Sequence, residues 1–261
     1  TDSCLAYRCW FGGQAQAQTD NSRLLAVWNE PSAGVAVTAL DPASSSRQPE
    51  PAVVASVEAG SIGEELGFEP GDQLLSINGV RPRDLIDYRY LIVDEELTLE
   101  VRDSAGELHC VELEKDVDDG LGLAFTEALF DGLRQCTNRC PFCFIDQQPP
   151  GHRDSLYLKD DDYRLSFLYG SYLTLTNLSD SDWERIEQQR LTPLYVSVHA
   201  TDPDLRSTLL ENPRAGRLLE QLKWFAQRDL QIHAQVVVCP GLNDGDALLN
   251  TLRDLAGFTG V

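Results

Sequence analysis

Apolar and polar positions divide the chain into three textures. Between residues 51 and 117 they alternate in short runs: Val53, Val54 and Val57 predict one strand, residues 73–78 a second, and residues 97–102 and 108–113 a pair joined around residues 104–106. Gly60-Ser61 turns into a short helix through Glu64, Glu65 and Leu66. Gly67 ends that helix, since a residue without Cβ takes the left-handed cap conformation at little cost. Pro70-Gly71-Asp72 is a turn, Asn78-Gly79 a hairpin dipeptide, and residues 84–91 a helix. The pattern predicts a small β-rich domain over residues 51–119.

Over residues 120–261 the period changes, and strands alternate with helices. Strands are predicted at 128–133, 171–176, 194–198 and 232–238. A helix over 181–190 starts on a capping box of Ser181 and Glu184. Asp202-Pro203 and Asn212-Pro213 each read as an N-cap followed by proline at the first helical position. The helix after Pro213 gathers Leu218, Leu219, Leu222, Phe225 and Ala226 on one face, and residues 246–255 form another helix. Repeated strand–helix units predict an α/β fold of parallel strands with helical crossovers, and four strands leave an open edge. Residues 1–50 carry no period and mix Ala, Gln, Ser and Pro, so an irregular segment is expected there.

Charge narrows the partners. With 42 acidic against 21 basic residues the net charge is −21, which repels phosphates and anionic lipid. Neither a nucleic-acid nor a membrane partner is expected. No apolar run approaches the roughly 20 residues needed to span a bilayer, and no secretory signal opens the chain. The expected location is cytoplasmic. The chain has no Met and starts at Thr1, which reads as a trimmed chain or fragment without its natural start. Three of the seven cysteines are clustered, and in a reducing compartment such a cluster points to metal rather than to disulfides.

In Cys136-Thr-Asn-Arg-Cys140-Pro-Phe-Cys143 the cysteines are separated by three and then two residues, so one loop can bring three thiolates to a single metal centre. Three protein ligands on a [4Fe–4S] cluster leave one iron without a protein ligand. That iron can chelate S-adenosylmethionine. The alternative is a structural zinc site, which takes four closed ligands, the fourth coming from Cys110, His152 or Cys239. Cys4 and Cys9 are either further ligands or incidental thiols.

Cys-x3-Cys-x-aromatic-Cys, with Phe142 before Cys143, resembles the signature of the radical S-adenosylmethionine superfamily. The segment GSIGEELGFEPGDQLLSINGVRPRDLIDY resembles a bacterial-type PDZ domain. Together with CPFCFIDQ, KDDDYRLSF, LTLTNL, YVSVHATDP and CPGLNDG, the chain looks like the PDZ-containing subgroup of that superfamily, Fe–S oxidoreductases. The resemblance implies a partial (β/α)6-type barrel over 120–261, with the cysteine loop following its first strand. It further implies a [4Fe–4S] cluster on Cys136, Cys140 and Cys143, reductive cleavage of S-adenosylmethionine, and hydrogen abstraction from a substrate the sequence does not name. A flavodoxin- or ferredoxin-like electron donor would serve it. A PDZ-like domain implies a protein or peptide partner added as a strand, or a rigid docking module. The peptide-carboxylate loop normally precedes this segment; GLGLAF at 120–125 resembles it but follows the domain in sequence. The competing whole-chain reading is a PDZ-like adaptor with a structural zinc or Fe–S site.

Chemistry in parallel barrels gathers at the C-terminal strand ends. By that rule Thr176, Asn177, Ser197, Gly241 and Asn243 are candidate cofactor-binding residues. The family's second strand often ends in a Gly-rich motif, where this chain has LTLTN. His199 is a candidate for substrate binding or proton relay, or a hydrogen-bonded structural histidine. Cys239 is a hydrogen-atom donor, an extra ligand or a small buried hydrophobe. Asp160, Asp161 and Asp162, flanked by Lys159 and Arg164, either close over the cofactor or form a solvated charged face.

Overall fold

Alternating burial along antiparallel strands builds the first of two units, Thr1–Gly132; the second is Leu133–Val261. The structure is a computed structural model and describes residues 51–258 together with the backbone of Val27–Asn29. Cys4, Cys9 and the rest of the irregular segment expected over residues 1–50 lie outside the described residues.

Among the described residues six strands form the first sheet: β1 (Val27–Asn29), β2 (Ala52–Val57), β3 (Gln73–Ile77), β4 (Glu96–Arg102), β5 (Leu108–Glu114) and β6 (Leu123–Phe125). Their order is β1-β5-β4-β3-β2-β6, every pair antiparallel. Successive side chains of a strand point to opposite faces, so Leu97, Leu99 and Val101 of β4 are buried on the face they share with Val111 and Leu113 of β5. Two short helices cover this core. Ser61 caps α1 (Ile62–Glu65), and Asp84 caps α2 (Leu85–Leu91) by accepting from the Ile86 and Asp87 amides.

β6 pairs with β2, placing GLGLAF at the edge of the sheet rather than outside the domain. Gly63 makes this possible: its amide donates to Leu121 O at 2.8 Å, and a Cβ there would sit 2.6 Å from the same oxygen. The strand expected at 128–133 does not form. Its apolar residues serve the first core instead, where Phe130 is buried against Phe125 and Leu129 makes a single bridge to Asp84. A run of apolar residues bounded by polar ones reads the same whether it is a strand or a wrapped segment.

The second unit is α/β. β7 (Tyr172–Leu173), β8 (Leu194–Ser197) and β9 (Ile232–Gln235) form a parallel sheet in that order, and among the described residues it has three strands and does not close into a barrel. Five helices accompany it: α3 (Tyr163–Tyr169), α4 (Asp180–Gln188), α5 (Pro203–Leu210), α6 (Leu218–Ala226) and α7 (Gly245–Ala256). The N-caps expected at Asp202 and Asn212 are present, although Asn212 opens a 3-10 turn, Pro213–Arg217, before α6 begins. α4 starts earlier than expected. Its capping box is Ser179 with Asp182, whose carboxylate accepts the Ser179 amide at 2.8 Å, not Ser181 with Glu184.

Two strands are shorter than their apolar runs because their last amides are taken elsewhere. Thr174 N–H goes to the Asp161 carboxylate at 2.6 Å, and Val237 N–H goes to His199 Nδ1 at 3.2 Å. Among the described residues no helix is long and apolar enough to cross a membrane.

Candidate metal centre

The cysteine loop is held by its backbone before any side chain acts. Cys136 N donates to Lys159 O at 2.8 Å, Asp161 N to Arg134 O at 3.1 Å, and Arg139 N to Leu210 O at 3.0 Å. Cys140 and Phe142 pack on the buried Ala200, Leu209, Leu210 and Ala215, which seats the loop on α5.

The acidic run facing this loop is not a solvated patch. Asp161 and Asp162 are each 1% exposed and Arg164 is 2% exposed. Asp162 caps α3 and forms an ion pair with Arg164 at 2.7 Å, while Asp161 accepts both the amide and the hydroxyl of Thr174 at 2.6 Å. Burial pushes the Asp161 carboxyl above the ordinary carboxylate range, against the pull of the Thr174 bonds. Lys159 reaches the other way, donating to Asn138 O at 3.0 Å and to Asp146 at 2.6 Å.

β7 and β8 end alike. Leu175 (φ 60) and His199 (φ 63) each lie two residues past their strand in the left-handed region, unusual for residues with bulky side chains. The carbonyls freed by these bends converge on Arg206 of α5, which is fully buried. Its guanidinium donates to Thr174 O (2.9 Å), Ser197 O (2.7 Å), Val198 O (2.9 Å) and Ala215 O (2.6 Å). Burial lowers the Arg206 pKa to about 10, still well above neutrality, so a fixed positive charge lies within the field of Asp161 and Cys140.

Burial raises the thiol pKa of Cys136, and that of Cys140 is pushed up to about 11 by burial and then by the charges of Cys136 and Cys143. The three sulfurs therefore lie in one another's field. Among the described residues no three His, Cys, Asp or Glu side chains form a ready-made metal cage. The donor set still suits a particular group: three soft thiolates on one loop match an Fe–S cluster with one iron left over better than a closed four-ligand zinc site. Of the candidate fourth ligands, the His152 backbone is tied to the Tyr157 hydroxyl, Cys239 is partly exposed with its sulfur 4.0 Å from Val237 O, and Cys110 belongs to β5.

Residues 115–260, more than half of the chain, match the family model described as a Radical SAM-like domain. This chain belongs to the radical SAM family. Residues 53–103 match the model of a PDZ domain, and no curated protein matches the chain.

In this radical SAM chain the residues expected at the strand ends divide into two groups. Thr176 and His199 adjoin the cysteine loop: Thr176 Oγ1 donates to Asn138 at 3.2 Å, and the His199 ring meets Phe142 edge to face at 4.8 Å. The His199 Nδ1 accepts from Val237 N, and burial followed by the Arg206 charge brings its pKa down to about 4. With Nδ1 accepting, the neutral ring carries its proton on Nε2.

Asn177 turns away from the loop; it donates to Asp161 O at 2.9 Å and lines a cavity of about 980 Å³ with Trp183, Gln221 and Trp224. Ser197 contributes its carbonyl to Arg206. Asn243 is consumed in pinning its own turn, bonded to Cys239 N, His199 O and Val237 O, and Gly241 (φ 79) supplies the turn's left-handed position. Sequence reasoning missed Asn138 and Arg206. Asn138 carried a positional signal, lying between two cysteines; Arg206 looked like any helix-surface charge.

Proposed function

We propose that this radical SAM chain is an Fe–S enzyme in which Cys136, Cys140 and Cys143 hold a [4Fe–4S] cluster. When bound, that group supplies the electron that cleaves S-adenosylmethionine so that hydrogen is abstracted from a substrate. The observation that carries this reading is the three thiols on one loop inside the matched family region, with Cys140 packed on α5. The chain's own residues position and shield. Phe142 and Leu205 pack against the same buried apolar cluster as Cys140, Lys159 places positive charge near Cys136 and Cys143, and the His199 ring meets Phe142 edge to face. A partial (β/α)6-type barrel is the architecture this reading requires, and the sheet β7-β8-β9 supplies three of its parallel strands.

Anaerobic reconstitution followed by electron paramagnetic resonance and an assay for 5′-deoxyadenosine tests it. Cys140→Ala should lose both the cluster signal and the product. Stoichiometric zinc with no iron in a colourless wild-type protein would overturn the reading.

A second reading concerns the first unit. Among the described residues β6 is an end strand of its sheet, and the ring of its Phe125 meets Tyr88 of α2 at 4.7 Å. We propose that β6 receives an extended peptide as an added strand. Titration with peptides bearing a free C-terminal carboxylate should saturate at micromolar concentration; equal binding to amidated peptides would count against a carboxylate-reading loop.

A further inference from the structure

Asn138 stands between the first two cysteines and is 1% exposed. Every hydrogen-bonding position of its side chain is occupied. Nδ2 donates to Cys136 Sγ at 3.3 Å and to Thr174 Oγ1 at 2.9 Å; Oδ1 accepts from Thr176 Oγ1 at 3.2 Å and from Asn212 Nδ2 at 2.7 Å.

The orientation of this amide is dictated from outside the loop. Thr174 gives its hydroxyl proton to Asp161, so its oxygen acts as an acceptor and calls for an N–H from Asn138. Asn212 presents its own NH2 group to the other side, which calls for the Asn138 carbonyl oxygen there. The nitrogen thus fixed carries a second N–H, and that one points at Cys136 Sγ. A chain of bonds from Asp161 through Thr174 to Asn138 ends on the sulfur. A neutral thiol is a weak acceptor, whereas a thiolate is a charge-assisted one, so the arrangement has value for a sulfur bearing negative charge.

We infer that Asn138 is a positioning residue that fixes Cys136 at the end of β7 and raises the reduction potential of the Fe–S group its loop would hold. The inference rests on the proposed function above. An N–H bonded to a ligand sulfur disperses the charge added on reduction and so favours the reduced state.

The test uses the full 261-residue chain, reconstituted anaerobically, with iron content measured and the midpoint potential read by titration followed by electron paramagnetic resonance. Asn138→Leu keeps the approximate volume, adds no charge and removes both N–H donors; its midpoint should move to more negative potential than wild type. Asn138→Ser retains one hydroxyl donor, and its midpoint should lie between the two; it also keeps the test open if the Leu variant holds no iron. An unchanged midpoint in a variant that holds iron would overturn the inference, since a merely structural role leaves the potential alone. Wild-type protein that binds no iron would instead remove the proposed function itself, so the two failures are distinguishable.

Discussion

The two units bury different things. The first packs a sheet core of aliphatic and aromatic side chains, from Ala52 and Val54 through Leu99 to Leu123 and Phe130, and its buried polar groups, such as Asp72 and Asp84, cap turns and helices. The second buries Asn138, Asp161, Asp162, Arg164, Asp182, Arg185, His199, Arg206 and Asn243 among its strand ends and helices. Buried polar groups are costly unless fully hydrogen-bonded, and a complete network of them specifies one arrangement more strictly than apolar packing does. Both units bury an apolar core, and the second adds to it a polar interior packed around the cysteine loop.

That contrast can be broken by experiment. The largest effect should come from Arg206→Met, which leaves four buried carbonyls without a donor; at ~1–3 kcal/mol for each orphaned group, with incomplete additivity, a loss of roughly 4 kcal/mol or more is expected. Amide hydrogen exchange should show the loss in β8. Leu99→Ala should be next, at about 3–4 kcal/mol from lost burial and the cavity left behind, read in the amides of β4. Losses spread evenly over both units in either variant would dissolve the distinction.

The smallest effect depends on pH. The unfolded chain protonates His199 with a pKa near 6.5 and the folded chain only near 4, so its contribution is intact above pH 6.5 and falls away as the pH drops toward 4. Urea denaturation at pH 7 and at pH 4.5 should show wild type losing about 2 kcal/mol more than His199→Gln. Equal losses would mean that the imidazole is charged in the folded protein.

Much of the first unit was legible because its signals are local. Alternation marks β3, β4 and β5, Asn78-Gly79 marks a turn, and Gly67 marks a helix end. The parallel strands of the second unit were legible as apolar runs, but their ends were not: Thr174 and Val237 look like strand residues, and only the side chains of Asp161 and His199 take their amides away. The helix α3 went unseen for a related reason. Asp160, Asp161 and Asp162, flanked by Lys159 and Arg164, read either as a patch closing over a cofactor or as a solvated face, while in the fold the Asp162–Arg164 ion pair is interior.

The sequence by itself determined the three cysteines and their spacing, the switch from antiparallel to strand–helix pattern, and the caps at Asp202 and Asn212, all of which are written in neighbours a few residues apart. Only the tertiary structure decided that β6 joins the first sheet, that Arg206 gathers carbonyls from two strands and a turn, and that Asn138 turns an N–H toward Cys136. Those outcomes join residues as far apart as Asn138 and Asn212, and a hydrogen bond across such a separation exists only after the chain has folded.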